Sequence, residues 1–349
     1  MNITLKPTHV VDAVTHPNPY PFYAELVAQR PFYYDEALKA WVVSGAEGVT
    51  EILSHPACRV RPLDEPVPRG LVGSAAAGIF QHLARMNDGY KHLELKQAIN
   101  ARLARLEATR LMSLSQRWAQ EFWQAGTSLN EYSFELPVYI MADCLGIPSD
   151  CLSETVRWVR QFALCLNPLS TPDQVGIGKM AAERLWEMLE PEQGEAWAAN
   201  LIGLMFQAYE ATAGLIGNTL LAIRELGRQI LERPHLLPEF IQEVIRFNPS
   251  VQNTRRYLSE DVVIGGHALR AGDTVVVVLA AANRDPQANR QYFTFGLGGH
   301  ACPGARAASI ITQAAIEQCI QTGVADNMHA LGYHAYPNLR IPILQERGQ

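Results

Sequence analysis

The chain has 349 residues, of which 48% are hydrophobic and 18% are charged, and its formal net charge is −6. This is the composition of a globular protein with a large core, and the acidic balance excludes the strongly basic face that nucleic-acid binding needs. No apolar run reaches the roughly 18 residues of a membrane span, and the N-terminus lacks a basic start followed by an apolar segment. The sequence therefore predicts a cytoplasmic protein with no nucleic-acid partner and no membrane contact.

Hydrophobic periodicity predicts a mostly helical body followed by a small β region. The predicted helices cover 21–29, 46–53, 90–123, 131–147, 152–165, 197–231 and 237–247, with a strand at 41–45 and loops at 61–78, 167–174 and 190–196. The helix over 197–231 is apolar nearly all round in its first half, as is typical of a helix at the centre of a large protein. After Pro249 the segments DVVIGG, ALRAGDTVVVVLAAAN and LRIPIL predict strands. No linker divides this layout, so we predict one domain over residues 1–349.

Six cysteines are spread along the chain without a CxxC pair. This spacing does not suit a disulfide framework or a structural zinc site. Free cysteine is among the most often buried residue types, so we interpret five of the six as small core residues. The exception is Cys302, which lies in a glycine-rich segment.

That segment, Phe-Gly-Leu-Gly-Gly-His-Ala-Cys-Pro-Gly at 295–304, is the most informative part of the sequence and runs directly into an Ala-rich helix, ARAASIITQAAIEQCI. It resembles the haem-binding loop of cytochromes P450. The residues that stand in the family's places are Phe295, Gly298, His300, Cys302 and Gly304. The resemblance implies a cytochrome P450 fold, mainly α with a small β region, that holds haem b through the Cys302 sulfur.

The spacing of the loop has a physical explanation. A thiolate beneath a haem iron donates electron density that favours O–O cleavage. Glycines at 298 and 304 allow tight turns and a close approach, so that peptide N–H groups can point at the sulfur. Pro303 lacks an N–H and suits the first turn of the following helix, whose positive end favours a thiolate.

Two helical residues stand in the places of the family's Glu-x-x-Arg motif. They are Glu243 and Arg246, for which the resemblance implies a buried ion pair that supports the haem loop. Between Pro286 and Phe295 only QANRQYFT remains, where most members carry a longer meander whose arginine joins this pair. Arg290 is the candidate remnant of that arginine. We therefore expect a shortened meander, and the compact middle of the chain predicts a short substrate lid.

The resemblance also implies cationic partners for the haem propionates. His92 and Lys96 stand in the places of the family's His-x-x-x-Arg, and Arg256 stands in that of its arginine at the start of the sheet, with Arg255 as the alternative. His300 fills the cationic place of the cysteine loop. Carboxylates favour such partners, although lysine cannot offer the bidentate fork of arginine.

The segment QAYEATAGLIGN on the long helix resembles the oxygen-binding helix of the family. Glu210 takes the place of its acid, and Ala211 takes that of its proton-relay threonine. Thr212 lies one residue further on, about 100° round the helix. Four explanations stay open: the substrate or an ordered water supplies the proton, Thr212 supplies it through a helix bent by a bond to the Ala208 carbonyl, peroxide replaces oxygen, or the haem does non-hydroxylating chemistry. We favour the first.

The substrate-facing residues implied by position in the family are Phe80, Leu204, Gln207, Ala208, Ala211, Val251, Gln252 and Asn253. The three amides favour a substrate more polar than a steroid or a fatty acid, unless they bond to backbone or water. The sequence does not specify the substrate further.

The resemblance implies a monooxygenase that oxidises a small organic substrate in bacterial specialised metabolism, with electrons from a ferredoxin or flavodoxin type donor. Positive charge on the early helix and on the helix after the cysteine loop predicts the docking face for an acidic donor. The residues concerned are Lys91, Arg102, Arg105 and Arg306. The alternatives are a haem-thiolate peroxygenase, a cyclising or coupling enzyme, and a non-catalytic P450-like module that recruits partners. Retention of Cys302 and Glu210 argues against the last.

Overall fold

The computed structural model describes residues 6–226 and 228–346, and it is mostly helical with three small sheets. The helices are α1 (Val10–Ala13), α2 (Tyr20–Gln29), α3 (Ala46–Ser54), α4 (Ala75–His82), α5 (Gly89–Ala104), α6 (Ala108–Gln124), α7 (Leu129–Leu145), α8 (Leu152–Leu166), α9 (Pro172–Gln193), α10 (Glu195–Leu226), α11 (Arg228–Glu232), α12 (Leu237–Phe247), α13 (Leu279–Ala282) and α14 (Ala305–Gln321). The strands are β1 (Phe32–Asp35), β2 (Ala40–Val43), β3 (Cys58–Arg59), β4 (Thr254–Leu258), β5 (Val262–Ile264), β6 (His267–Leu269), β7 (Thr274–Val277), β8 (Met328–Tyr333) and β9 (Pro342–Glu346). This architecture confirms the predicted fold class.

The main sheet brings together strands from the two ends of the chain. Its order is β1-β2-β7-β4-β3, in which β2 and β7 are parallel and the other neighbours are antiparallel. The strands β5 and β6 form a second sheet, and β8 and β9 form a third. Successive side chains of a strand point to opposite faces, and on β4 this leaves Arg255 exposed while Arg256 is buried.

Helix α10 is the centre of the helical body. It packs against α4, α7, α8, α9, α12 and α14, which agrees with its apolar sequence, because a helix that is hydrophobic all round must be covered on every side. The segment after α4 lies close to the backbone of α10, since a Cβ on Gly203 of α10 would lie 2.5 Å from Leu83 Cδ2. Asn200 fixes the same segment: its Oδ1 accepts from the Ala84 N–H at 2.9 Å and its Nδ2 donates to the His82 carbonyl at 2.9 Å.

Several predicted elements agree with the structure, and others need correction. The helices over 21–29, 46–53 and 237–247 are confirmed to within a residue or two by α2, α3 and α12. The loop predicted over 190–196 is wrong, because α9 continues through Pro191 and only Gly194, with a left-handed φ of 76°, separates α9 from α10. The long helix predicted to end at 231 is divided between α10 and α11, with residue 227 outside the described residues. Helix α4 begins inside the predicted loop over 61–78, and β1 and β8 were not predicted.

Helices α8 and α9 pack on each other, and Gly178 of α9 lies where they meet. A Cβ on Gly178 would lie 2.5 Å from Cys165 Cβ and 2.6 Å from its backbone nitrogen. Real side chains do not tolerate such distances, so the two helices would have to separate. Gly176, one half-turn earlier on α9, has nothing within 4 Å of its Cβ position.

This pair of glycines gives a matched stability test. Gly178→Ala should lower the free energy of unfolding by about 1–3 kcal/mol, because overpacking forces backbone shifts. Gly176→Ala should instead raise it by roughly 0.5–1 kcal/mol, because alanine favours the helix over glycine. Urea unfolding of both variants measures the difference. Equal effects from the two substitutions would show that α8 and α9 do not cross at Gly178.

Candidate functional site

The residues predicted for the site meet around one cavity of about 600 Å³, which lies between α10 and the loop that precedes α14. The predicted residues that line it are Phe80, His92, Lys96, Leu204, Gln207, Ala208, Glu210, Ala211, Thr212, Val251, Asn253, Arg256, Phe295, His300, Cys302 and Gly304. Those that do not are Glu243, Arg246, Gln252 and Gly298. Parts of the sequence more than 200 residues apart therefore form a single concave surface, as ligand sites commonly do.

The cysteine loop is closed by its own backbone. The Cys302 N–H donates to the Phe295 carbonyl at 2.7 Å, which brings the two ends of the loop together. Gly296 and Gly298 have left-handed φ values of 71° and 61°, a conformation that glycine adopts without steric cost. A Cβ on Gly296 would also lie 3.2 Å from the His300 carbonyl oxygen. Gly304 differs from the prediction, because its φ of −90° is accessible to any residue.

The Cys302 sulfur lies at the start of α14 and faces the cavity. Backbone N–H groups of Gly304 and Ala305 donate to it, so it occupies the position where a helix N-terminus favours negative charge. Burial raises the pKa of the Cys302 thiol above its ordinary value, while these N–H groups, Lys96 and Arg85 act in the opposite direction. The sulfur is accessible from the cavity although protein surrounds it. It is therefore placed to bind a group inside the cavity.

The cations predicted to bind propionates line the cavity and already have protein partners. His92 places Nδ1 at 2.8 Å from the Ala84 carbonyl and Nε2 at 2.9 Å from the Gly299 carbonyl. Lys96 donates to the Ala301 carbonyl. Arg256 Nη1 donates to the Arg255 carbonyl at 2.8 Å. The contacts of His92 and Lys96 tie α5 to the cysteine loop, whereas that of Arg256 stays within β4.

Asp88 is an acidic member of this cluster that the sequence did not indicate. His300 Nε2 lies 3.1 Å from its Oδ1, and the Val60 N–H donates to its Oδ2 at 3.2 Å. Burial alone would raise the pKa of Asp88, but the hydrogen bonds from His300 and Val60 outweigh it and the net pKa is lowered. The His300 ring also lies 4.0 Å from the His92 ring, centroid to centroid. His300 is thus held by a carboxylate of the protein itself.

Glu210 and Ala211 lie on the cavity side of α10, as their sequence positions predict. Burial raises the pKa of Glu210 to about 7, while a hydrogen bond from Tyr336 and the charge of Arg85 act to lower it. Thr212 also lines the cavity but is only 3% exposed. In the part of the chain that the structure describes, its hydroxyl forms no bond to the Ala208 carbonyl and α10 is helical throughout that region. The bend proposed for Thr212 is not observed.

Two cavity residues, Arg85 and Tyr336, escaped the sequence analysis. Arg85 lies in the 3₁₀ turn Ala84–Met86, a few residues before His92, so its place in the loop before a matched helix was the available signal. Tyr336 comes from the chain between β8 and β9 and donates to the Glu210 carboxyl. No local pattern links it to α10, because only tertiary folding brings the two together.

Gln252 does not face the cavity. Its Oε1 accepts from the Tyr23 hydroxyl at 3.0 Å and its Nε2 donates to the Pro249 carbonyl at 2.6 Å. Both ends of the amide are thus satisfied by the protein, as expected for a buried polar side chain. The expected substrate contact is therefore corrected: Gln252 joins α2 to the chain before β4.

The ion pair expected between Glu243 and Arg246 is not formed among the described residues, because Glu243 is exposed to solvent. Helix α12 buries Leu237, Ile241, Val244 and Ile245, and helical periodicity then places residue 243 on the outer face. The short segment after Pro286 contacts α12 at Gln242, where the Tyr292 hydroxyl donates to Oε1 at 3.2 Å, but it leaves Glu243 exposed. Arg290, the expected remnant of the meander, is exposed in a left-handed turn with a φ of 69°.

Arg246 contacts groups other than its expected partner, Glu243. Its guanidinium lies 4.8 Å from the centroid of the Phe247 ring, and its buried Nε has no hydrogen-bond partner in the described structure. The Asn283 amide donates to the Arg246 carbonyl at 3.0 Å and to Thr294 Oγ1 at 2.8 Å. This amide, rather than an ion pair, connects α12 to the chain that enters the cysteine loop.

No helix in the described ranges is both long enough and apolar enough to cross a membrane.

Comparison with known proteins gives the same family. A cytochrome P450 family model matches residues 222–289, a stretch that ends before the cysteine loop. The chain is 24% identical to the biotin biosynthesis cytochrome P450 of Bacillus subtilis over 94% of this chain and 95% of that protein. It is 26% identical to the mycinamicin IV hydroxylase/epoxidase of Micromonospora griseorubida over 84% and 83%. The crystal structure of P450BioI in complex with hexadec-9Z-enoic acid ligated acyl carrier protein superimposes with a TM-score of 0.79 at 22% identity, covering 94% of this chain and 97% of that one.

A mostly helical fold with a cysteine at the start of a helix, facing a cavity beside a long central helix, provides the sulfur and the space that a haem-thiolate site requires. The family-model match, the bacterial relatives and the solved structure together support a bacterial-type cytochrome P450. The family predicted from the sequence is confirmed. The protein is accordingly a P450-type oxidoreductase, a monooxygenase with a haem-thiolate cofactor.

The contact between Tyr336 and Glu210 predicts a change in acidity. Because the Tyr336 hydroxyl donates to the carboxylate, Tyr336→Phe should raise the pKa of Glu210 above its value of about 7, by about one pH unit or more. The carboxyl stretching band, followed by infrared spectroscopy against pH and assigned with Glu210→Gln, measures it. Tyr209→Phe is the matched control, because it removes a neighbouring phenol that does not bond to Glu210. A shift to lower pH in Tyr336→Phe would contradict the contact.

Proposed function

We propose that Cys302 is the thiolate ligand of haem b in this protein. The observation that supports this most directly is the sulfur's position, with two backbone N–H donors behind it and the cavity in front. Such donors stabilise a thiolate and tune the metal that it binds. The donor set therefore fits a haem-thiolate site, and the volume of about 600 Å³ is that of a cofactor or ligand site.

The propionates of the haem would be held by His92, Lys96, Arg256 and His300, which all line the cavity. Each of them now bonds to a backbone carbonyl or to Asp88. Carboxylates are stronger acceptors than neutral carbonyls. His92, Lys96 and Arg256 would thus exchange a weaker partner for a stronger one when the cofactor binds, whereas His300 already faces a carboxylate.

The bound haem supplies activation of oxygen for the oxidation of an organic substrate. The part of the protein is to orient the substrate, exclude water and hold the proton. Glu210, with a pKa of about 7, can both hold and release a proton at neutral pH. Ala211 provides no hydroxyl beside it, and Thr212 forms no hydrogen bond within the described residues. We propose that the substrate or an ordered water completes the path from Glu210.

The substrate is a small organic molecule in this proposal, bound against Phe80, Leu204 and Val251, with Gln207 and Asn253 as its polar neighbours. Gln207 donates to the Gly203 carbonyl at 2.7 Å and Asn253 to the Pro337 carbonyl at 3.0 Å, which leaves their amide oxygens available as acceptors. The similarity to a mycinamicin hydroxylase/epoxidase supports a place in bacterial specialised metabolism. Ala211 also keeps a second function open, a peroxygenase that uses peroxide in place of oxygen.

We propose one P450 domain over residues 1–349 and a ferredoxin or flavodoxin type electron donor. Matches that cover nearly all of this chain and of its relatives support the single domain. Two residues of the predicted basic face also bond to backbone: the half-buried Arg102 donates to the Leu145 carbonyl at 2.8 Å, and the exposed Arg306 donates to the Leu106 carbonyl at 2.6 Å. Lys91 and Arg105 are exposed. They would provide the charge that steers an acidic donor.

The proposed ligand is tested by spectroscopy of the purified protein. The ferrous carbon monoxide complex should show the Soret band of a thiolate-ligated haem, and Cys302→Ser should abolish it, because an oxygen ligand cannot supply the electron donation of a thiolate sulfur. Cys151→Ser is the control: Cys151 lies at the start of α8, away from the cavity, and its replacement should leave the band intact. Wild-type protein without the band, or an unchanged band in Cys302→Ser, would refute the proposal.

A further inference from the structure

Arg85 is a cavity cation for which the proposed cofactor contacts give no role. Its backbone is fixed from two sides, since Asn200 on α10 binds the Ala84 N–H at 2.9 Å and His92 on α5 lies 2.8 Å from the Ala84 carbonyl. The preceding residue, Leu83, packs directly against Gly203. The 3₁₀ turn Ala84–Met86 is thereby held between α10 and α5, and the Arg85 side chain projects into the cavity. Its position is a consequence of packing and not of a free loop.

The Arg85 guanidinium has no partner of its own within the described residues. No hydrogen bond or ion pair joins it to any described residue, and the side chain is exposed where it lines the cavity. Partial desolvation there lowers its pKa, while the charges of Glu210 and Cys302 oppose that effect. A partly desolvated guanidinium without a partner is costly in free energy. An anion inside the cavity would remove that cost.

Glu210 does not fill this place. It forms no ion pair with Arg85 in the described structure, and the hydrogen bond to its carboxyl comes from Tyr336. Its pKa of about 7 also leaves it only partly charged at neutral pH. The charge of Glu210 therefore attracts the Arg85 guanidinium without a direct contact.

Two of the other cations already have protein partners. His300 is held by Asp88, and Lys96 reaches the Ala301 carbonyl beside Cys302. Arg85 has no such link to the cysteine loop, and the carboxyl that most influences it is Glu210 on α10. Arg85 therefore differs from His300 and Lys96 in having no protein partner in the described structure.

We propose that Arg85 binds the carboxylate of an organic acid substrate. The inference rests on the proposed haem-thiolate function, because the substrate shares the cavity with the cofactor. A guanidinium offers two parallel N–H donors that match a carboxylate, and partial desolvation makes this contact both strong and selective. Phe80, Leu83, Leu204 and Val251 would surround the apolar remainder of the acid. A haem propionate is the other possible source of a carboxylate, and the experiment separates the two.

The test uses holoenzyme and small haem ligands of one type. Imidazol-1-yl acetate, propanoate and butanoate each bind a ferric haem through the imidazole nitrogen, and each is paired with its uncharged carboxamide of the same shape. Soret difference titrations give the dissociation constants. Wild type should bind at least one acid about tenfold or more tightly than its amide, which is the expected effect of a charged hydrogen bond. Arg85→Gln should remove this preference, and Arg85→Lys should retain part of it.

Arg69→Gln is the matched control, since it makes the same substitution in another 3₁₀ turn, where the Arg69 side chain is 89% exposed. It should leave the preference unchanged. The inference is overturned if wild type prefers no acid at any of the three lengths, or if Arg85→Gln keeps the preference. It is also overturned if Arg85→Gln mainly loses haem, because Arg85 would then serve a propionate. The carbon monoxide spectrum of wild type is recorded first: without the thiolate band both the function and this inference fail, whereas the band without an acid preference rejects the inference alone.

Discussion

The structure depends on how one sulfur atom is held. Burial alone disfavours a thiolate at Cys302, yet two N–H groups at the start of α14 and the nearby charges of Lys96 and Arg85 act against that penalty. The loop can provide this arrangement because the Cys302 N–H closes onto Phe295 and because Gly296 and Gly298 adopt left-handed conformations. The remaining elements fix the position of this loop. Helix α5 reaches it through His92, whose ring meets the Gly299 carbonyl.

The opposite wall of the cavity is chemically different. Helix α10 presents Glu210 beside Ala211, so the acid is retained and the adjacent alcohol is replaced by a methyl group. Tyr336 and Arg85 supply the polar contact and the positive charge that this wall otherwise lacks. Because both arrive from other elements, the local sequence of α10 does not reveal how its acid is controlled. Proton handling here is a property of the tertiary structure.

The sequence predicted the features that depend on interactions between residues close together in the chain. Helix α12 and the Cys302 loop were predictable because periodicity and glycine placement act over a few residues. The partnership expected for Glu243 was wrong, since the short segment after Pro286 reaches α12 at Gln242 and leaves Glu243 exposed. Gln252 was misassigned for a similar reason: its bond to Tyr23 joins residues far apart in sequence. The roles of Arg85 and Tyr336 likewise arise from contacts across the fold.

The central claim is that Cys302 binds the iron of a haem through sulfur. X-ray absorption at the iron edge of the purified ferric protein tests this directly, because it reports the atoms bound to the metal. The account predicts a shell of pyrrole nitrogens together with a single sulfur scatterer, and the loss of that sulfur in Cys302→Ser. An iron site with only nitrogen and oxygen neighbours in the wild type, or a sulfur signal that persists in the variant, would contradict it.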